Sequence, residues 1–171
     1  MSSAVKGVSL RGVRSQWQVV VILGALVVVL AATVLWEILQ TMNNNAATAA
    51  GQDAQNAART AAQTILSYDY RNVNADMTKA EALTTGTFRQ EYEASAPRLL
   101  GMVKQAQGVV TANVWQVGIV SESPSQVTVL VFVDQTRTEA SNQTPSLSQN
   151  RVRMVMQKVG GSWLVGQLSA L

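Results

Sequence analysis

The stretch from Trp17 to Trp36, WQVVVILGALVVVLAATVLW, constrains this chain more than any other. Its twenty residues carry no charge, and twelve of them are Val, Ile or Leu. As a helix rising about 1.5 Å per residue it covers roughly 30 Å, the thickness of a bilayer's hydrocarbon core. At roughly −0.3 to −0.6 kcal/mol each, the twelve aliphatic residues supply about −4 to −7 kcal/mol of insertion free energy, more than one Gln and one Thr can offset. Trp17 and Trp36 stand at the two levels where interfacial indoles anchor a span. A transmembrane helix over 17–39, in contact with the lipid bilayer, is therefore expected. Lys6, Arg11 and Arg14 precede it without an acidic residue, and no Lys or Arg follows until Arg59. The positive-inside rule then makes 1–16 a cytoplasmic tail and places the rest of the chain outside the cytoplasmic membrane. A signal peptide's apolar region is shorter, and the nearest small-x-small site, Ala47-Thr48-Ala49, lies well beyond the run. An uncleaved signal anchor is the expectation.

Charge and composition remove several function classes. The chain carries 13 Lys plus Arg against 10 Asp plus Glu, and the excess is Lys6, Arg11 and Arg14. The remainder is neutral, so no basic surface for nucleic acid is expected. There is no Cys and no His. That excludes disulfides, thiolate zinc sites and the commonest general base and metal ligand. A domain without such staples needs a packed core, and 53–171 is long enough for one.

Along the chain, Thr41–Gln52 (TMNNNAATAAGQ) reads as a turn-prone linker over 40–52, because successive Asn residues favour local turns over helix. From Asp53, a candidate N-cap, Ala54, Ala57, Ala58, Ala61, Ala62, Ile65 and Leu66 recur at helical spacing and form a thin face that lets another element approach closely. A short second helix from Asn74 or Asp76 ends at Thr84-Thr85-Gly86. A third begins after Thr87, with a kink or break expected near Ala96 because Pro97 follows. After Gly108 the period changes from 3.6 to 2. Strands are predicted over 109–121, 127–138, 151–159 and 162–171, with a loop over 139–148 and a two-residue hairpin turn at Gly160-Gly161. Helices followed by strands make an α+β domain over 53–171: helices packed on a curved antiparallel sheet of about four strands.

Few residues suggest chemistry. Asp69, between Tyr68 and Tyr70 where the first helix ends, and Asp134, near the end of the strongest strand, could serve as a carboxylate base in the mouth of such a domain. The plainer reading has the tyrosines covering the sheet opening and Asp69 facing water. Arg151 and Arg153 share one strand face, where they could grip an anionic headgroup or a carboxylate partner; pairing with Glu122, Asp134 or Glu139 is the structural alternative. Trp115 and Trp163 are expected as core anchors. Met102, Trp115, Phe132, Met154 and Met156 are candidate walls of an apolar pocket. Tyr68, Asp69, Tyr70, Tyr92, Trp115, Asp134, Arg151 and Arg153 together form the candidate pocket or partner surface. No catalytic residue, cofactor or metal ligand is assigned.

ILSYDYRNVNADM (65–77), LTTGTFRQEY (83–92), VTVLVFVDQTRT (127–138) and RVRMVMQKVGGSWLVGQLSAL (151–171) resemble, in order and spacing, the Mce-associated membrane proteins of mycobacteria and related actinobacteria. The resemblance covers about residues 50–171 plus the span. The ending is also similar to the NTF2-like superfamily and to the periplasmic domains of VirB8-like secretion proteins. The resemblance implies a single-pass membrane protein with an NTF2-like outer domain. It implies a non-catalytic accessory role beside MCE-domain proteins and the ABC-type permease and ATPase of a lipid or sterol transporter. The alternatives are a lipid or small-ligand binder, an NTF2-like enzyme using Asp69 or Asp134, and a VirB8-like secretion scaffold.

Overall fold

The computed structural model describes the backbone of residues 11–171 and the side chains of 28–42, 45–142 and 144–171. Lys6 lies outside the described residues, as do the side chains of Arg11, Arg14 and Trp17. The elements run α1 (Arg11–Ile65), β1 (Tyr68–Asp69), α2 (Val73–Ala82), α3 (Gly86–Ala106), β2 (Val109–Glu122), β3 (Gln126–Glu139), β4 (Asn142–Val159) and β5 (Ser162–Ala170). The chain divides into two units, Met1–Asn44 and Asn45–Leu171.

In the first unit the described side chains are mostly apolar and open to the surroundings: Leu35 is 58% and Trp36 71% exposed. The Thr33 hydroxyl donates to the Leu30 carbonyl at 2.8 Å, which satisfies it inside the helix. Among the described residues no helix is long and apolar enough to cross a membrane. The described apolar stretch starts at Val28 and so holds only the second half of the expected span.

In the second unit the sheet order is β1-β2-β3-β4-β5, antiparallel throughout. The core lies between α1 and one sheet face. Ala50, Ala54, Ala58, Ala61 and Ala62 of α1 are buried against Val127, Val129, Val131 and Val133 of β3 and Val152, Met154 and Met156 of β4. The strand residues alternate because side chains point to opposite faces with period two. The alanines recur every three or four residues on one helix face. With methyl groups on the helix side, the helix comes close to the sheet, and Met154 and Met156, both fully buried, fill the remaining space. Leu83, Phe88 and Leu168 complete the core rim.

Six local expectations are corrected. The stretch Thr41–Gln52 is helical, not a turn-prone linker, and Asp53 lies inside α1 rather than capping it. From Ala50 onward the helix face is buried against the sheet, whereas Asn45 and Ala46 before it are exposed. Tyr68–Asp69 forms a short fifth strand against Val109 and Val110. The third helix passes unbroken through Pro97. The carbonyl that the proline frees belongs to Glu93, in an exposed stretch where water can satisfy it. Its N-cap is Thr85, two residues ahead of the expected one. The loop expected over 139–148 is instead the tip and first half of a long hairpin, with Glu139 opposite Asn142. Pro145 sits within a register irregularity of β4, where a missing N–H disrupts no regular ladder. At Gly160 and Gly161 φ is 58° and 88°, the left-handed pair that the two-residue turn requires.

Candidate functional site

The sequence candidates separate into two places. The first is a hollow of about 370 Å³ beside the end of α1, lined by Thr64, Ser67, Tyr68, Asp69, Asp76 and Lys79 among others. The β1 strand brings Asp69 there by pairing with Val109. The Asp69 carboxylate accepts from the Arg71 guanidinium through both oxygens and from the Arg71 backbone N–H at 2.9 Å. Those hydrogen bonds, the side-chain ones first, hold its pKa below the ordinary 3.8. This is the wrong direction for a general base near neutral pH. Asp76 accepts the Asp69 backbone N–H at 3.1 Å and lies 3.9 Å from the Lys79 ammonium. The Arg71 guanidinium stacks over the Tyr70 ring at 5.9 Å. The hollow is therefore braced by its own charges. Among the described residues no group of three or more carboxylates could hold a metal ion.

The second place is the sheet face turned away from α1. A register shift between Val114 and Gln116 makes Trp115 an extra residue in β2. Such bulges re-aim a side chain. Here the indole lies beside Phe132, with ring centroids 5.1 Å apart and planes tilted by 45°. Trp115 is 55% exposed, which corrects the expectation of a core anchor; only Trp163, at 9%, is in the core. Phe132 is directly opposite Arg151, and Leu130 is opposite Arg153. Gly118 faces Leu130 from the other side, and a Cβ there would meet nothing within 4 Å. Arg153 also lines a cleft of about 580 Å³ with Phe88, Glu91, Gln126, Gln157 and Gln167.

Neither Arg151 nor Arg153 makes a salt bridge among the described residues. Two of the expected carboxylates are engaged elsewhere, and the third, Asp134, shares the face without bonding to either arginine. Glu122 accepts from Thr48 of α1, Glu139 pairs with Arg137, and Asp134 lies opposite Asn113 and Gln149 with a buried, unpartnered Oδ1. Asp69 and Asp134 do not meet in one cavity, so no carboxylate pair forms. Tyr92 belongs to neither place: it packs at 6.4 Å from Phe88 on α3. Burial, then the nearby Glu81 and Asp76, raise its pKa above 10.0. The five supposed pocket walls also disperse. Met154 and Met156 are in the core, Met102 is half exposed on α3, and Trp115 and Phe132 are on the far sheet face. Arg59 and Gln55, which bind the edge of β2, were not singled out from sequence. Their spacing of four on a helix marks a shared face, but nothing in it signals a strand edge as partner.

A helix laid along one face of an antiparallel five-stranded sheet, with two shorter helices at its rim, is a fold shared with several solved domains. The periplasmic domain of DotI superposes with a TM-score of 0.58 at 17% identity, covering 68% of this chain and 91% of that one. An IcmL-like type IV secretion system protein from Legionella pneumophila gives 0.57 at 13%, covering 68% and 88%. VirB8 of Agrobacterium tumefaciens gives 0.53 at 12%, covering 65% and 84%. The chain itself belongs, through residues 13–168, to the family described as Uncharacterized protein Rv1363c/MT1408-like. It is 29% identical over 102 residues to Uncharacterized protein Rv1362c of Mycobacterium tuberculosis, 59% of this chain but only 46% of that relative. It is 30% identical over 108 residues to Outer membrane protein Rv1973 of the same species, 63% of this chain and 67% of the relative.

Proposed function

We propose that this protein is a non-catalytic scaffold subunit, anchored in the cytoplasmic membrane by the span over 17–39 with its N-terminus inside. Its outer domain would hold other envelope proteins together. The observation that carries this reading is a filled interior on a fold shared with secretion-machinery domains. The space between α1 and the sheet is occupied by Met154, Met156 and the β3 valines, all completely buried, rather than left as a cargo cavity. The anchor is supported by the uncharged run and its flanking charges, and by the exposed apolar surface of residues 28–42.

The particular complex we propose is an Mce-type lipid or sterol transporter, with MCE-domain proteins and the ABC-type permease and ATPase as partners. Support comes from the ordered resemblance over about residues 50–171. A VirB8-like secretion scaffold is the second reading, favoured by the fold neighbours. The test is extraction of the tagged full chain from its native membrane in mild detergent and identification of what co-purifies. MCE-domain subunits with permease or ATPase support the first reading, and secretion components the second. Recovery of the chain alone, carrying extractable lipid, would sink the scaffold reading in favour of a ligand carrier.

A further inference from the structure

We infer that the sheet face turned away from α1 is the docking surface for an acidic, apolar segment of a partner protein, with Trp115 as its anchor and Arg151 and Arg153 as its carboxylate clamp. The inference rests on the scaffold reading and names the chemistry of the partner. Three adjacent strands build the surface. Trp115 of β2 lies on Phe132 of β3, and Phe132 is opposite Arg151 of β4. Leu130 extends the apolar strip toward Arg153, and Gly118 beside it leaves the strip uncrowded.

An indole held against a second ring loses little entropy when a partner covers it. Trp and Arg are the residue types that dominate interface energetics. The occupant follows from charge. Two guanidiniums stand two residues apart on one strand, with no carboxylate of the described chain bonded to either. Planar forks of this kind select carboxylates geometrically. A membrane surface is disfavoured as occupant: anionic lipid recognition takes about four to eight clustered basic residues, and this strand face offers Arg151 and Arg153.

The test replaces Trp115 with the photo-crosslinker p-benzoylphenylalanine in the full chain, in its native membrane, and maps the adduct by mass spectrometry. The expected adduct is to a protein segment holding at least two Asp or Glu near an apolar side chain. R151E/R153E lowers its yield at least about tenfold, equivalent to one hot-spot loss. R151K/R153K retains most of it. The charge-reversed chain keeps its denaturation midpoint, since both sites are exposed. An adduct on lipid, on a second copy of this chain or on an uncharged or basic segment overturns the inference. So does a yield unmoved by charge reversal, or no adduct at all. If tagged chain still co-purifies with envelope subunits in those cases, the scaffold reading survives and only this surface is wrong.

Discussion

The Arg59 guanidinium, on α1, donates to the Val114 carbonyl at the edge of β2. Two neighbours act likewise. Gln55 donates its side-chain amide to the Val117 carbonyl, and the Ser67 hydroxyl accepts the Ala112 backbone N–H at 2.9 Å. Beyond the two residues of β1, the outer edge of β2 would otherwise present a row of unpaired backbone groups, the usual template for unwanted strand pairing. These side chains, two from α1 and one just beyond it, substitute for a sixth strand. Arg59→Ala should lower stability by about 1–3 kcal/mol, because a part-buried acceptor loses a charged donor. Urea denaturation of the full chain in detergent measures it, with the exposed Arg98→Ala within about 0.5 kcal/mol of the parent as control.

The alanine stripe predicts intolerance to bulk. Ala58 is completely buried between α1 and the sheet. Ala58→Leu should destabilise by about 1–3 kcal/mol through overpacking, although leucine is a good helix former. A lower urea midpoint with an unchanged slope is the expected reading; an unchanged midpoint would mean that the helix does not seat on the sheet as described.

Met154→Ala should cost about 2–5 kcal/mol, the loss of a fully buried side chain plus the cavity left behind. Both methionines replaced by leucine should cost less than about 1.5 kcal/mol each, since volume is conserved.

The two outer-domain tryptophans should respond oppositely. Trp163→Ala removes a buried ring that also lies under the Lys158 ammonium at 5.6 Å, and should cost about 3–5 kcal/mol. Trp115→Ala removes a half-exposed ring from the far face. It should cost about 1 kcal/mol or less of stability, since it forfeits little more than one aromatic pair. Thermal melts of the two variants separate the core residue from the surface one.

Acid should act weakly through Asp69. Its folded pKa is depressed, first by the Arg71 hydrogen bonds. Its contribution is therefore fully present above the ordinary value of 3.8 and is lost as pH falls through the lower folded value. Because Arg71 is 66% exposed, solvent screening keeps that contribution small. Carboxyl NMR titration should find Asp69 below 3.8. Asp69→Asn should flatten the stability curve on that acid limb and lower it by a small, pH-independent amount near neutral pH. For Tyr92 the shift is upward, mainly from burial. Its neutral form is favoured, and absorbance titration should show it ionising above 10.0.

Where the local pattern was strong, sequence and structure agree. The alternation of β3, the Ala54–Ala62 face and the paired glycines at 160–161 were legible because each encodes its own geometry: period two, period 3.6 and positive φ. Asp69, Trp115, Asp134, Arg151 and Arg153 were all legible as candidates by residue type, but not their grouping. Trp115 alternates out of the core in the bare pattern, and its partner Phe132 is seventeen residues away; only the pairing of β2 with β3 brings the rings together.

By itself, the sequence determined an uncharged apolar run at the N-terminus, helices before strands, a core without covalent staples and the absence of histidine and cysteine chemistry. Each of these is a property of composition or of neighbours within a few residues. Tertiary structure alone decided that Tyr68–Asp69 would be a strand and that Arg59 would guard the β2 edge. It also decided that Arg151 and Arg153 would stand free of the carboxylates expected to pair with them. These outcomes depend on which distant backbone arrives alongside. Burial and hydrogen bonds made across tens of residues outweigh a local propensity worth less than about 1 kcal/mol per residue.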